Sequence, residues 1–413
     1  MTDHDPDPEP DAAIAALDLD LEEEAARLLS FGRHAAHPDG GFGWLDEDGR
    51  LDPARPVETW ITSRMTHCFA IARLRGDDSV GDLVDRGVDA LTGRLRDAEH
   101  GGWHSAVEGD GPVTDVKEAY AHAFVVLAAV SAYVAGHPDA ARLLEDALGV
   151  LDDRFWQEGD GMVVDVWNRD WTALDPYRGV NANMHTVEAL LAAYDVTGER
   201  LWLDRATRIV GRVVGVARSH DWRLPEHFDE HWRPQLDYNI DEPGHRFRPY
   251  GVTIGHLVEW ARLALHLRTA LGASAPEWLA GAAEKLYGAA VRRGWAVNGA
   301  DGFVYTTDFS DQPVVRERMH WVVAEAIAAA WTLHRDLGGA AYLEQFERWW
   351  HYADTYLLDR DRGSWHHELS PTNQPSATVW QGKPDIYHAY QATILPLLRP
   401  AASFAGAVSV AAG

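Results

Sequence analysis

A histidine-led apolar segment recurs six times along this 413-residue chain, and that recurrence limits the fold more than any other feature. The copies are RMTHCFAIARL, AYAHAFVVLAAV, NANMHTVEALLAAY, TIGHLVEWARLAL, ERMHWVVAEAIAAA and IYHAYQATILPLL. Their histidines, His67, His122, His185, His256, His320 and His388, lie 55 to 71 residues apart. A fixed period of this kind marks a repeat architecture, in which each unit buries its apolar face against its neighbours. Each copy is apolar over most of its circumference and so reads as a buried helix. Between copies run helices with one apolar stripe and a charged face, such as GERLWLDRATRIVGRVVGVA and AAYLEQFERWWHYADTYLLD. That is the pattern of an outer helix. Gly-plus-aromatic turns recur in the connections, among them GGFGWLDEDG, GGWHSAVEGDG and RGSWHHELSP. No long alternating run supports a large sheet. Six units of inner helix, loop, outer helix and turn close on themselves. The expected fold is all-α, an (α/α)6 toroid in one catalytic domain over residues 16–400. An acidic tail over 1–15 and a loose C-terminal tail over 401–413 flank it.

Charge and cysteine content narrow the partners. The chain carries 37 basic and 64 acidic residues, a formal net charge of −27. Nucleic acid and anionic lipid would be repelled, so neither is an expected partner. Cys68 is the single cysteine, which excludes an intramolecular disulfide and a thiolate metal cluster. The opening MTDHDPDPEP lacks the basic and apolar regions of a signal peptide. No apolar run reaches membrane-spanning length. The cytoplasm is the expected location, and the assembly a monomer or a homodimer.

If the inner helices run parallel, their first turns meet at one mouth of the ring. Their unpaired N–H groups and positive dipole ends then face a common cavity. This gives meaning to YRGVNANMH, where Asn181, Asn183 and His185 crowd one helix start. Trp60, Arg64 and His67 fall at i, i+4 and i+7 and share a helix face. An indole beside a guanidinium suits a polyol, covering its C–H face and donating to its hydroxyls. His256 and Glu259 are three apart, a spacing at which the carboxylate can fix the imidazole tautomer. Arg248 lies just upstream. Trp321 and Glu325 share a face, and Glu325 in its alanine-rich helix needs a buried partner or a bound hydroxyl. The sixth copy brings Trp380, Gln381, Lys383 and His388. His185 with Glu188, or His256 with Glu259, has spacing a metal could use, but no HExxH is present. The expectation is acid–base chemistry by histidines, with no metal and no cofactor. A glycoside hydrolase of the same shape would need two opposed carboxylates, where this mouth is rich in histidine.

The stretches TWITSRMTHCFAIARLRG, YRGVNANMHTVEALLAAYDVTGE, LDYNIDEPGHRFRPYGVTIGHLVEWARL and KPDIYHAYQA resemble the N-acylglucosamine 2-epimerase superfamily, and within it the aldose–ketose isomerase branch. The resemblance implies an (α/α)6 barrel and metal-free isomerisation of a monosaccharide through a cis-enediol, with mannose to fructose as the first expectation. A sugar 2-epimerase and a sulfoquinovose isomerase are the alternatives, the latter needing a further cation such as Lys383 or Arg178. Arg64, His185, Arg248, His256, Glu259 and His388 match the family's motif positions. His256 and His388 are then the acid–base pair, and His185 opens the ring or holds the sugar. Asn181, Tyr120, Trp321, Glu325 and Trp380 match pocket positions. Trp60 and Gln381 complete the expected sugar contacts.

Overall fold

The computed structural model describes residues 19–109 and 111–409. The acidic tail expected over 1–15 and the last residues of the C-terminal tail lie outside these. Among the described residues six inner helices alternate with six outer ones. The inner helices are α2 (Thr59–Leu74), α4 (Ala119–Val134), α6 (Val180–Thr197), α8 (Ile254–Leu271), α10 (His320–Leu337) and α12 (Tyr387–Ile394). The outer helices are α1 (Leu21–Gly32), α3 (Gly81–Thr92), α5 (Ala140–Val150), α7 (Arg200–Ser219), α9 (Trp278–Gly294) and α11 (Ala340–Tyr352). Each inner helix packs against the next, and α12 closes the ring against α2 and α1. This is the (α/α)6 toroid the repeats imply.

The two helix classes differ as their sequences require. Almost every residue of α8 is buried. In α7 the buried apolar residues are Trp202, Leu203, Ala206, Ile209, Val210, Val213, Val214 and Ala217, one stripe at helical period, with Arg205 buried beside them.

Short β contacts register the repeats. Two-residue leads into the inner helices pair antiparallel with the connection one repeat later: 57–58 with 106–108, 178–179 with 227–228, 252–253 with 306–307 and 318–319 with 368–369. The lead 116–118 pairs with 166–168 in the same way. The first N–H of each following helix donates to a carbonyl of that connection. The acceptors are Ser105, Asp165, Glu226, Tyr305 and His367, at 2.8 to 3.2 Å. At the sixth junction, Lys383 N–H donates to Leu45 O at 2.9 Å, joining the end of the chain to its beginning. One orphan donor of each of five helix starts is thereby satisfied without a side-chain cap. The Gly-aromatic turns are tight, closed by bridges such as Arg96 to Trp103 and Leu358 to Trp365.

The C-terminal segment departs from the expected loose tail. Phe404–Ser409 forms helix α13, with Phe404, Ala405, Ala407 and Val408 buried. The Ser403 hydroxyl donates to Asp195 at 2.6 Å, and the Phe404 ring meets His67 and His266 edge-on. Its apolar residues are covered because they pack against α2, α4 and α6. Among the described residues no helix is long and apolar enough to cross a membrane.

Seven buried histidines are held neutral. Burial pushes His67 and His185 down to about 4, His122, His266 and His320 down to about 3, and His367 and His388 below their ordinary value. Unfolded, each takes up its proton near pH ~6.5. Below that value the unfolded chain binds more protons, so stability falls as the pH drops. Buried acids oppose this: burial pushes Asp165 up to about 7, burial with the Glu325 carboxylate raises Glu259 well above its ordinary value, and burial also raises Glu58, Asp195 and Asp336. Seven histidines outweigh five acids, at about 1.4 kcal/mol per group per pH unit. The melting temperature is expected to fall between about pH 7 and about pH 5. A Tm that holds or rises across that range contradicts the neutral burial of these rings.

Candidate active site

The inner helices present their second, sixth and ninth residues to the centre of the ring. In α2 these are Trp60, Arg64 and His67; in α6, Asn181, His185 and Glu188; in α8, Gly255, Glu259 and Arg262. Helix α4 supplies Tyr120 and Phe124, α10 Trp321 and Glu325, and α12 Tyr387 and Gln391. The i, i+4, i+7 spacing keeps each set on one face. A small cavity of about 60 Å³ opens between them, lined by Arg64, Tyr120, Asn181, His185, His256, Glu259, Trp321, Trp380 and His388.

Two of its histidines are oriented alike. His256 Nδ1 lies 2.9 Å from Glu226 Oε2, and His388 Nδ1 lies 2.9 Å from Glu325 Oε1. A carboxylate at Nδ1 places the ring proton there and leaves Nε2 bare. Among the described residues, no hydrogen bond engages either Nε2. Trp321 packs against both rings, with centroids 5.3 Å from His256 and 5.7 Å from His388. Its indole fits because the facing residue is Gly255. A Cβ there would lie 2.2 Å from Trp321 Cζ3. Burial lowers the His388 pKa below its ordinary value despite the Glu325 carboxylate, so the ring is neutral and basic at Nε2.

Beneath the cavity lies a buried charge cluster. Arg262 Nε donates to Glu325 Oε2 at 2.8 Å, and its Nη2 lies 3.7 Å from Glu259 Oε1. Burial would raise Glu325, but Arg262 and His388 hold it below the usual carboxylate range. Glu259 has no hydrogen bond at either oxygen. Burial and the nearby Glu325 carboxylate hold it well above the usual carboxylate range, which favours the neutral acid at the edge of the cavity. Glu188 accepts from Tyr387 O–H and, at 3.3 Å, from Gln391 Nε2. His185 Nδ1 lies 3.4 Å from Glu188 and 3.8 Å from Glu259. Arg64 donates to Tyr120 O–H at 2.9 Å and to Asp385 at 3.3 Å, with its guanidinium over the Phe124 and Tyr387 rings.

Several expected site residues stand elsewhere. Glu226, not Glu259, holds the His256 tautomer, because Glu259 points three residues down the helix towards Arg262. Glu325 is a partner of His388 rather than a free sugar ligand. Arg248 lies over Tyr177 at 3.9 Å, in an outer vestibule with Asp165 and Glu242. Phe247 takes the inward position of that loop, and Arg246 lines the inner cavity in place of Arg248. Trp60 also borders the vestibule, in an aromatic collar with Trp44, Trp380 and Phe247. Gln381 is exposed and lines neither space. Lys383 is fully buried on Asp359 at 2.7 Å, and Arg178 donates to the Asp175 and Tyr177 carbonyls. Neither is available to a sulfonate. Nor do all six repeat histidines reach the cavity. His67, a turn deeper, bonds Ser131 at 2.6 Å, and His122 accepts from the Trp103 N–H at 3.1 Å.

Sequence reading missed Arg262, Glu226, Arg246, Tyr387, Asp385 and His367. Arg262 carried a usable signal, a cation in a helix apolar all round and three residues from Glu259. Glu226 and His367 sit in connections, where no helical period points.

Residues 40–392 match the N-acylglucosamine 2-epimerase family. The chain is 53% identical to a D-mannose isomerase of Thermobifida fusca over 391 residues, 94% of this chain and 96% of that one. It is 48% identical to a D-mannose isomerase of Pseudomonas cannabina pv. alisalensis, over 94% of both chains. A crystal structure of a D-mannose isomerase superposes with a TM-score of 0.85 at 28% identity, covering 91% of this chain and 97% of that one.

Two asparagines two residues apart divide the labour at the start of α6. Asn183 is fully buried, with Oδ1 accepting from Val163 N at 2.9 Å and Nδ2 donating to the Val163 and Gly179 carbonyls. Asn181 lines the cavity with Oδ1 unpartnered. Asn183→Ala strands buried backbone groups and is expected to cost roughly 1–3 kcal/mol in urea unfolding. Asn181→Ala is expected to leave stability within about 0.5 kcal/mol. The reverse ranking contradicts this division.

Proposed function

The chain belongs to the N-acylglucosamine 2-epimerase family, and from that premise we propose that it is an aldose–ketose isomerase interconverting D-mannose and D-fructose. The observation that carries the chemistry is the matched pair His256 and His388, each with a carboxylate on Nδ1 and a free Nε2 in one cavity. The sugar identity rests on the two D-mannose isomerases, similar along nearly the whole chain.

The open-chain aldose lies between the two imidazoles. A neutral Nε2 removes the proton from C2. The C–H electron pair becomes the C1–C2 double bond, and the carbonyl oxygen O1 takes a proton, giving a cis-enediol. The O2 hydroxyl then gives up its proton as its oxygen becomes the ketone, and an imidazolium returns a proton to C1. No electrons leave the substrate, so no redox partner is needed. Arg64, fixed by Asp385 and Tyr120, donates to the developing oxyanion, and Glu259, a neutral acid, donates a second hydrogen bond. His185, neutral and between Glu188 and Glu259, assists ring opening.

The same cluster bears on metal. His185, Glu188 and Glu259, and again Glu259, Glu325 and His388, bring ligand atoms within 4.8 Å of one another. Both sets share Glu259, which burial keeps protonated, and the Arg262 guanidinium already lies against Glu259 and Glu325. A fixed cation and a neutral acid suit a dication poorly. The proton-transfer route is therefore metal-independent.

Purified protein given D-mannose is expected to yield D-fructose, with EDTA present throughout. D-glucose as the sole product moves the assignment to a 2-epimerase, and loss of activity restored by Mn²⁺ moves it to a metal-assisted hydride shift. His256→Asn and His388→Asn are each expected to lose about 10²-fold or more in kcat with helical circular dichroism retained. A variant keeping more than about a tenth of wild-type kcat removes that histidine from the pair.

A further inference from the structure

Several polar side chains in the cavity are used by none of these steps, and His367 is the ring among them with both nitrogens open. His367 is 3% exposed and lines the cavity wall beside Asp385 and His388. Among the described residues neither its Nδ1 nor its Nε2 makes a well-formed hydrogen bond, the Asp385 backbone being only near enough to favour the protonated ring. Its ring stacks on that of His320, with centroids 3.7 Å apart and planes 23° from parallel. Burial and the neighbouring His320 keep it well below the ordinary histidine range, so it is a neutral donor and acceptor. A buried polar group with no partner is destabilising, and native folds rarely keep one without a task.

The repeat gives this position its orientation. His367 is the fifth in the series Ser105, Asp165, Glu226, Tyr305 and His367, whose carbonyls accept the first N–H of successive inner helices. The same backbone site turns each side chain to the central funnel. Ser105 and Asp165 border the vestibule, Tyr305 borders the cavity, and Glu226 holds His256. Each of these has a place in the site, so His367 stands where the architecture presents functional groups. The stack on His320 fixes its plane, and His320 is itself tied by Nδ1 to the His367 carbonyl at 3.3 Å. What is held rigid is a ring with two open hydrogen-bonding positions and no charge.

We propose that His367 is a substrate-binding residue that hydrogen-bonds a hydroxyl of the sugar, with the His320 ring as its backing, and that it sets affinity and sugar selectivity rather than the rate of proton transfer. A neutral imidazole suits a hydroxyl, since it donates at one nitrogen and accepts at the other. A cavity that buries such a group unpaired penalises any ligand lacking the matching hydroxyl.

The proposal rests on the isomerase reading, and wild-type turnover of D-mannose controls for it. If the wild type fails to isomerise mannose, that reading fails first; if only the variants behave like wild type, this proposal alone fails. His367→Phe keeps the stack on His320 and removes both nitrogens. It is expected to raise KM for mannose about tenfold or more, the effect of losing one hydrogen bond in a desolvated site, with kcat within about threefold. His367→Asn and His367→Gln place an amide near Nδ1 and Nε2 respectively, and one of them is expected to recover most of the lost affinity. The melting temperature of each variant separates misfolding from lost binding. An unchanged KM in His367→Phe overturns the proposal. So does a fall in kcat at constant KM, which would make the ring a positioning residue for His388, and so does failure of both amides to recover affinity in a folded protein.

Discussion

The site depends on one buried ion pair, Arg262 with Glu325. Both groups are about as deep as any in the protein, at 1% and 2% exposure, and they meet at 2.8 Å. Burying two charges is costly, and removing one partner from such a pair typically costs about 3–5 kcal/mol. Arg262 keeps Glu325 anionic, and an anionic Glu325 keeps His388 in the tautomer with Nε2 towards the substrate. The same guanidinium lies near Glu259 and balances Glu188. Without it three carboxyl groups would share one small space, and most would take up protons. Glu259 already does so. The cluster thus sorts its carboxyls by role, with Glu188 and Glu325 as anions that hold partners and Glu259 as a neutral donor.

The ring supplies this cluster with a rigid frame. Five of the six inner helices enter through a short strand pair and a backbone bond to the following connection, and the sixth is tied back by Lys383 to Leu45, so each start is fixed relative to its neighbour. Residues at the second and sixth positions therefore hold their places to within what helix packing allows. The geometry asks for small side chains where large ones must pass, as at Gly255 beneath Trp321. It also lets a connection, not only a helix, reach the centre, which is how Glu226 comes to orient His256 from 30 residues away in sequence.

Much of this was legible before any coordinates. The six apolar segments, the striped helices between them and the Gly-aromatic turns fix a closed helical ring, because only closure buries every inner face. Arg64, His185, His256 and His388 were legible as polar groups at the starts of buried helices, and all four line the cavity. His67 and His122 occupy places in the apolar segment that look equivalent to the others, but His67 lies a turn below the cavity against Ser131 and the phase of His122 turns it to Trp103. Arg248 and Arg246 flank Phe247 in an irregular loop, and no period tells which of two arginines turns inward. Glu259 and Glu226 show the deeper difficulty. Spacing of i+3 made Glu259 the natural partner of His256, yet Arg262 draws it away and a residue from another repeat takes its place. Tertiary proximity of this kind leaves no local mark. At the C-terminus, α13 is too short and too weakly patterned to stand out, and it is ordered by the surface it covers rather than by its own propensity.

The central claim is that carboxylates fix both cavity histidines in one tautomer, with the proton on Nδ1 and Nε2 bare. Nitrogen-15 NMR of histidine-labelled protein near pH ~7, a pH at which unperturbed histidine is mostly neutral, reads this directly, with His256→Asn and His388→Asn used to assign the two rings. Both are expected to be neutral, with a protonated Nδ1 coupled to its ring carbons and an unprotonated Nε2. A proton on Nε2 of either ring, or a doubly protonated ring in the free protein, would contradict it.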